Sequence, residues 1–201
     1  MRKKTDKKRQ SILDAAYELF RNNGFEKTSM AEINAKAGCS KPTLYSYFSS
    51  KEELFVDCMF ELAKHFLEDM FFSLQDPKLD LRTALSVLGE NTLRVICTPE
   101  MLAARRLIIA EAERSGIGRL FYERLTSRLD EIRIYLSKAM DDGKLRNDDP
   151  LLATTYFRAL LEAEVYEPCL LAASKTPPDN EMIKTAVDRV VSTFLRAYAP
   201  D

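Results

Sequence analysis

Apolar residues recur at helical spacing along almost the whole chain, and no alternating strand pattern stands out. Ile12, Ala15, Ala16, Leu19 and Phe20 follow i, i+3, i+4, i+7 and i+8, which predicts a first helix over about Asp6 to Asn22. Gly24 stands where a left-handed glycine would close it. Ser29 and Glu32 have capping-box spacing ahead of Met30, Ile33 and Ala37, and Gly38 ends that very short second helix. A third short helix is expected from about Lys41 to Phe48, with Pro42 tolerated in its first turn. Ser50 and Glu53 repeat the capping-box spacing, and Phe55, Cys58, Met59, Leu62, Phe66 and Met70 mark a long fourth helix.

Asp76-Pro77 breaks that helix, and further helices are expected at about 79–97, 99–114, 118–142, 149–173 and 180–198. The fold class is all-α, with about nine helices. The short helices define a small amino-terminal region, residues 1–56, and the long ones a larger region, residues 57–201. The fourth helix, from about residue 51, links the two. There is no internal repeat and no low-complexity segment.

The chain has 201 residues, 46% hydrophobic and 30% charged, enough apolar content to support a core. No apolar run approaches the ~18 residues of a membrane helix, and no signal-peptide pattern follows Met1, so a soluble, cytoplasmic protein is expected. The formal net charge of -1 hides an asymmetry. Residues 1–56 hold 11 Lys or Arg against 7 Asp or Glu, a net of +4. The remaining residues hold 19 against 24, a net of -5. Six of the basic residues fall in the first ten, which points to a polyanion partner at that end or to a solvated tail.

Cys39, Cys58, Cys97 and Cys169 are widely spaced, and the single histidine is His65. A disulfide framework or zinc site would want closer grouping, one histidine leaves metal and triad chemistry little to work with, and each cysteine reads most simply as a small core residue. A glycine-rich phosphate loop and a nucleophile motif are both missing, so no enzyme and no cofactor is expected.

Residues 29–48, SMAEINAKAGCSKPTLYSYF, have the spacing of a helix-turn-helix, whose second helix can enter a DNA major groove about 12 Å wide. Ile33, Ala37 and Leu44 can pack the pair together, and Ser40 can cap the second helix. That helix offers Lys41, Thr43, Tyr45, Ser46 and Tyr47, suited to phosphates, thymine methyls and base edges. Lys51 lies in the first turn of the fourth helix, the unfavourable end of the macrodipole for a cation. A phosphate there would answer both the lysine and the free N–H groups; the alternative is an incidental surface lysine.

The pattern F-x-x-T-S-x-x-x-I-x-x-x-A-G-x-S-x-x-x-L-Y-x-Y-F-x-S-K-E-E-L-F, from Phe25 to Phe55, resembles the TetR (tetracycline-repressor-like, AcrR-like) transcription regulators. The detailed likeness covers about residues 8–60. It implies a homodimer whose two recognition helices read half-sites of a palindromic, double-stranded operator, and a helical body that binds a small-molecule effector. By position, Lys41, Pro42, Thr43, Tyr45, Ser46 and Tyr47 would line the groove or its phosphates, Lys51 would bind a phosphate, and Thr28 and Ser29 would anchor the second helix on the DNA backbone. Cys39 stands where Val is usual, as core packing or as a redox-sensing thiol, and Pro42 stands where Gly is frequent. The basic arm before Asp6 could reach a minor groove or phosphates.

In the larger region, R-R-L-I-I-A-E-A-E-R followed by F-Y-E-R resembles a recurrent carboxy-terminal type among AcrR-like regulators. The last helix carries the cleanest apolar stripe, Ile183, Ala186, Val187, Val190, Val191, Phe194, Leu195 and Tyr198. In this family the last two helices build the dimer interface, which would draw on Leu160, Ile183, Val187, Val190, Val191 and Phe194; packing within one subunit is the alternative. The effector pocket would draw on Phe66, Met70, Arg105, Ile109, Phe121, Tyr122, Tyr156 and Tyr166, although periodicity does not separate pocket from core. The function expected is that of a ligand-responsive repressor released from its operator by a small molecule. An activator, or a helix-turn-helix protein acting chiefly through protein partners, is the alternative.

Overall fold

A computed structural model describes residues 2–113, 115–174 and 176–200, with side chains over the same spans apart from 2–5 and 62–72. Among the described residues every regular element is helical: α1 (Arg2–Asn23), α2 (Met30–Ala37), α3 (Lys41–Tyr47), α4 (Lys51–Gln75), α5 (Leu81–Ile96), α6 (Pro99–Ala110), α7 (Ile117–Asp141), α8 (Pro150–Leu161), a π turn (Glu162–Tyr166), α9 (Glu167–Leu170) and α10 (Asn180–Ala197). The all-α expectation holds. No described helix is long and apolar enough to cross a membrane, and no group of three or more described His, Cys, Asp or Glu could hold a metal ion.

Two boundaries differ from the pattern-based ones. The first helix begins at Arg2, because the Lys- and Arg-rich run before Asp6 contains good helix formers and no breaker, so the expected arm continues α1. The helix expected over 149–173 is interrupted by the π turn. Pro168 has no N–H for the Glu164 carbonyl, and the ladder shifts register so that the Glu167 N–H donates to the Glu162 carbonyl.

The chain forms two compact units, residues 1–64 with 108–123 and residues 65–107 with 124–201. In the first, Phe20, Phe25 and Phe55 pack with centroids 5.1 to 5.8 Å apart, and Ile12, Ile33, Leu44, Phe48 and Leu54 are fully buried. In the second, α5, α8 and α10 enclose Leu85, Leu88, Phe157, Val191 and Phe194, with the Phe157 and Phe194 rings edge to face at 5.2 Å. A Cβ on Gly89 would lie 3.0 Å from side-chain atoms of both Leu161 and Val187, so this mid-helix glycine lets α5 sit close to α8 and α10.

This core corrects one expectation. Ile183, Val187, Val190, Val191 and Phe194 were assigned to a dimer interface, but all are buried within the single chain, and Leu160 is half-buried against the same cluster. The stripe on α10 faces α5 and α8 because a helix with one clean apolar face fills its own subunit's core first.

Two substitutions test the packing. Gly89→Val should lower stability by roughly 1–3 kcal/mol through overpacking. Ala172, held at φ 55 after α9, should gain roughly 1 kcal/mol on replacement by Gly. Chemical denaturation of the full chain reads both, and a neutral Gly89→Val would contradict the close packing.

Candidate nucleic-acid interface

At eight and seven residues, α2 and α3 are too short to persist on their own propensity, so their ends have to be satisfied by neighbours. At the start of α2 the Ser29 hydroxyl accepts from the Glu32 N–H at 3.2 Å, and the Glu32 carboxylate accepts from the Ser29 N–H at 2.8 Å. The carboxylate also accepts from the Ser29 hydroxyl at 2.8 Å. These bonds, the backbone one first, hold Glu32 below its ordinary carboxyl value. At the other end Gly38 adopts φ 57, a left-handed conformation that glycine enters without strain. The Lys8 ammonium donates to the Ala37 carbonyl at 3.0 Å and the Gly38 carbonyl at 3.1 Å, closing the helix with a cation at its negative end.

Ser40 caps α3 by accepting from the Thr43 N–H at 3.2 Å, and the two hydroxyls lie 2.7 Å apart. Fully buried Leu44 and Phe48 pin the helix to the unit's core. Lys41, Pro42, Tyr45 and Ser46 consequently point outward, while Thr43 and Tyr47 are half-buried at the edges of that face. The outward set is one ammonium, one phenol and one hydroxyl beside a proline ring. It can offer charge to phosphate, donors and acceptors to base edges, and apolar surface to thymine.

Two ties hold this unit to its flanking helices. Arg9 forms an ion pair with buried Asp57 at 2.6 Å and lies 5.3 Å from the Phe48 ring centroid, joining α1, α4 and the end of α3. Lys51 donates to the Phe25 carbonyl at 2.9 Å with its ammonium 4.2 Å from that ring's centroid. At the start of α4 the Glu53 N–H donates to Ser50, as expected of a cap, but the Glu53 carboxylate reaches one residue further back, to the N–H and hydroxyl of Ser49.

These contacts sort the residues assigned from sequence. Ser29, Lys41, Pro42, Tyr45 and Ser46 are exposed on the α2–α3 unit, with Thr43 and Tyr47 beside them. Thr28 is corrected: it is buried, and its hydroxyl donates to the Gly24 carbonyl at 2.8 Å, so it closes α1 and faces away from solvent. Lys51 has a structural bond as well as a charge. Cys39 is half-buried, with its thiol 3.3 Å from Asn34 Oδ1. In the sequence Lys8 and Arg9 are part of a basic run. Their phase would have distinguished them, since each lies four residues before the buried Ile12 and Leu13 and so continues the inward face of α1.

The residues assigned to an effector pocket fall in different units. Phe66 and Met70 lie outside the described side chains. In the first unit Phe121 is core, stacked on Phe60 at 5.5 Å, whereas Ile109 and Tyr122 are exposed. In the second unit Tyr156 is half exposed on the outer side of α8, while Tyr166 is buried in the π turn with its phenol pushed up to about 12, chiefly by burial. Arg105 acts on that phenol electrostatically, in the opposite sense. Arg106 donates to the Cys169 and Leu170 carbonyls at 2.7 and 2.8 Å, capping α9.

A capped pair of short helices, the second presenting a polar face, defines a helix-turn-helix of the DNA-reading kind. A family model described as bacterial regulatory proteins, tetR family, matches residues 12–58, and one described as AefR-like transcriptional repressor, C-terminal domain, matches residues 83–200, more than half the chain. The chain belongs to the TetR family of transcription regulators, whose members are DNA-binding. The HTH-type transcriptional regulator RutR of Escherichia coli O157:H7 is 32% identical over 152 residues, covering 71% of this chain and 66% of RutR. The regulator YvdT of Bacillus subtilis is 35% identical over 95 residues, covering 47% and 48%. The chain thus spans between about half and two thirds of these curated relatives. Among solved structures, a TetR-family regulator from Mesorhizobium loti superposes with a TM-score of 0.78 at 27% identity, covering 96% and 98% of the two chains. The flavonoid-responsive regulator FrrA superposes with 0.72 at 31% identity, covering 96% and 97%.

Ser29→Ala should cost about 1 kcal/mol by removing the α2 cap. The depressed Glu32 also fixes a sign with pH. Its contribution is present above the ordinary value of 4.5 and is lost as pH falls through the lower native value. Thermal unfolding from about pH 7 down to about pH 3 should show a shallower acid loss in Ser29→Ala than in the parent; identical acid slopes would contradict the capping role.

Proposed function

We propose that the chain is a sequence-specific, ligand-responsive transcriptional repressor that binds a palindromic operator as a homodimer and is released by a small molecule. The observation that carries the DNA-reading part is the outward face of α3, with Lys41, Pro42, Tyr45 and Ser46 exposed on a helix whose other side is locked by Leu44 and Phe48. Lys41 neutralises a phosphate, and the hydroxyl and aromatic groups of Thr43, Tyr45, Ser46 and Tyr47 contact base edges and backbone. Ser29, exposed at the start of α2, and Lys51, through the donors its ammonium retains, approach the sugar-phosphate strand.

Repression is favoured by the AefR-like repressor model over residues 83–200. The activator FasR of Mycolicibacterium smegmatis shares 47% identity over only 51 residues, so a similar reader serves both signs of regulation and activation is the second reading. A small-molecule effector is supported by the flavonoid-responsive neighbour, without its ligand being carried over. The body of residues 57–201 is read as the sensor and dimerisation part and residues 1–56 as the reader. For the dimer, the outward side of α8 replaces the buried stripe of α10. Leu151, Leu152 and Tyr156 are 56%, 40% and 50% exposed there, and the exposed Thr155 and Ala159 continue the same face. Such an apolar helix face is suited to pairing with its own copy.

Selection of genomic fragments on the purified protein should enrich one inverted-repeat site, bound roughly 10³-fold or more tightly than random DNA. Tyr47→Ala should weaken binding to that site, and Lys41→Ala should reduce the salt slope by about one. Because Lys51 also bonds Phe25, Lys51→Ala should weaken DNA binding and lower the melting temperature together. Tyr156→Glu should yield monomers in sedimentation. Equal affinity for selected and random DNA would remove the assignment.

A further inference from the structure

Beside the α3 face lies a cleft of about 180 Å³ between α2 and α3, lined by Met30, Ala31, Asn34, Lys41 and Tyr45. Its walls are a thioether chain, a methyl and a phenol ring, and Tyr45 is 43% exposed although α3 has a core on its other side. The Lys41 ammonium stands at the rim, 5.9 Å from the Tyr45 ring centroid. Asn34 accepts the Cys39 thiol on its oxygen at 3.3 Å, which leaves its NH2 as the end able to donate.

We infer that this cleft reads a thymine in each half-site. The inference rests on the DNA-reading function proposed above and adds to it a specificity element contributed by α2. The major groove is a surface of hydrogen-bonding groups, and its one apolar feature is the C5-methyl of thymine, which lies next to the O4 acceptor. On a reading surface that otherwise offers an ammonium, hydroxyls and the convex Pro42 ring, a concave apolar hollow has that methyl as its complementary partner. Met30, Ala31 and the Tyr45 ring enclose the methyl, the Asn34 NH2 donates to O4, and Lys41 at the rim pairs with the adjoining phosphate. Cytosine offers neither the methyl nor an acceptor at this position, and adenine and guanine present no methyl there. The short side chain of Ala31 is what leaves the hollow open.

Uracil keeps every hydrogen-bonding group of thymine and lacks only the methyl, so it isolates the contact. On the operator selected by the parent protein, each thymine is replaced singly by uracil and binding is measured by gel shift. One position per half-site should lose about four-fold in affinity, the worth of one buried methyl. Ala31→Leu fills the hollow with a good helix former at an exposed site, and thermal melting reports whether it is folded. In Ala31→Leu the uracil effect at that position should vanish, and in Met30→Ala it should fall below two-fold. Specific operator binding with no uracil-sensitive thymine, or an undiminished uracil effect in folded Ala31→Leu, overturns the cleft while leaving the regulator reading in place. Failure to select any DNA overturns both.

Discussion

Everything the amino-terminal unit can do depends on the ammonium of Lys8 resting on the last carbonyls of α2, opposite the Ser29–Glu32 cap at its start. Helices of eight and seven residues cannot hold a surface in register by themselves. Fixing both ends of α2 fixes the turn at Gly38, and the turn sets where Ser40 starts α3. Leu44 and Phe48 then decide which side of α3 faces solvent. Arg9 on Asp57 and Lys51 on the Phe25 carbonyl extend the same logic to α1 and α4. Three cations of a nominally basic region are therefore committed, wholly or in part, to structure, and the charge left for a polyanion is smaller than the net of +4 suggests.

The carboxy-terminal unit works from a different constraint. Its core is supplied by long helices whose stripes interlock, and α5 approaches α8 and α10 closely because Gly89 has no side chain. The π turn rotates Tyr166 and Val165 into the core ahead of Pro168, and Arg106 satisfies the carbonyls exposed where α9 ends. Cys97 and Cys169 sit in this core in mutual contact, the Cys97 thiol pushed up to about 12 by burial first and by its neighbour second. A thiol held protonated in this way behaves as a small apolar residue with a weak donor.

Much of this is legible in the amino-acid sequence. Ser29, Glu32, Gly38 and Ser40 carry local signals whose physics is complete within a few residues, so both caps and the turn could be placed. Long-range partners carry no such signal. Thr28 is a hydroxyl in a motif and looks like a surface contact until its bond to Gly24 is seen. The stripe on α10 announced burial but not by what, because a core and an interface make the same demand on periodicity. Tyr122 and Tyr156 are exposed aromatics, and helical periodicity alone does not tell an outward ring from a pocket wall. Pro168 was a readable sign of the π turn that helical periodicity overrode.

Dimethyl sulfate interference on the selected operator tests most directly whether the outward face of α3 enters the major groove. Guanine N7 lies in that groove and adenine N3 in the minor one. The expected result is two patches of guanine N7 interference about one helical turn apart, with the contacts nearest Lys41 weakened in Lys41→Ala. Interference confined to adenine N3, or none at any base, would contradict it.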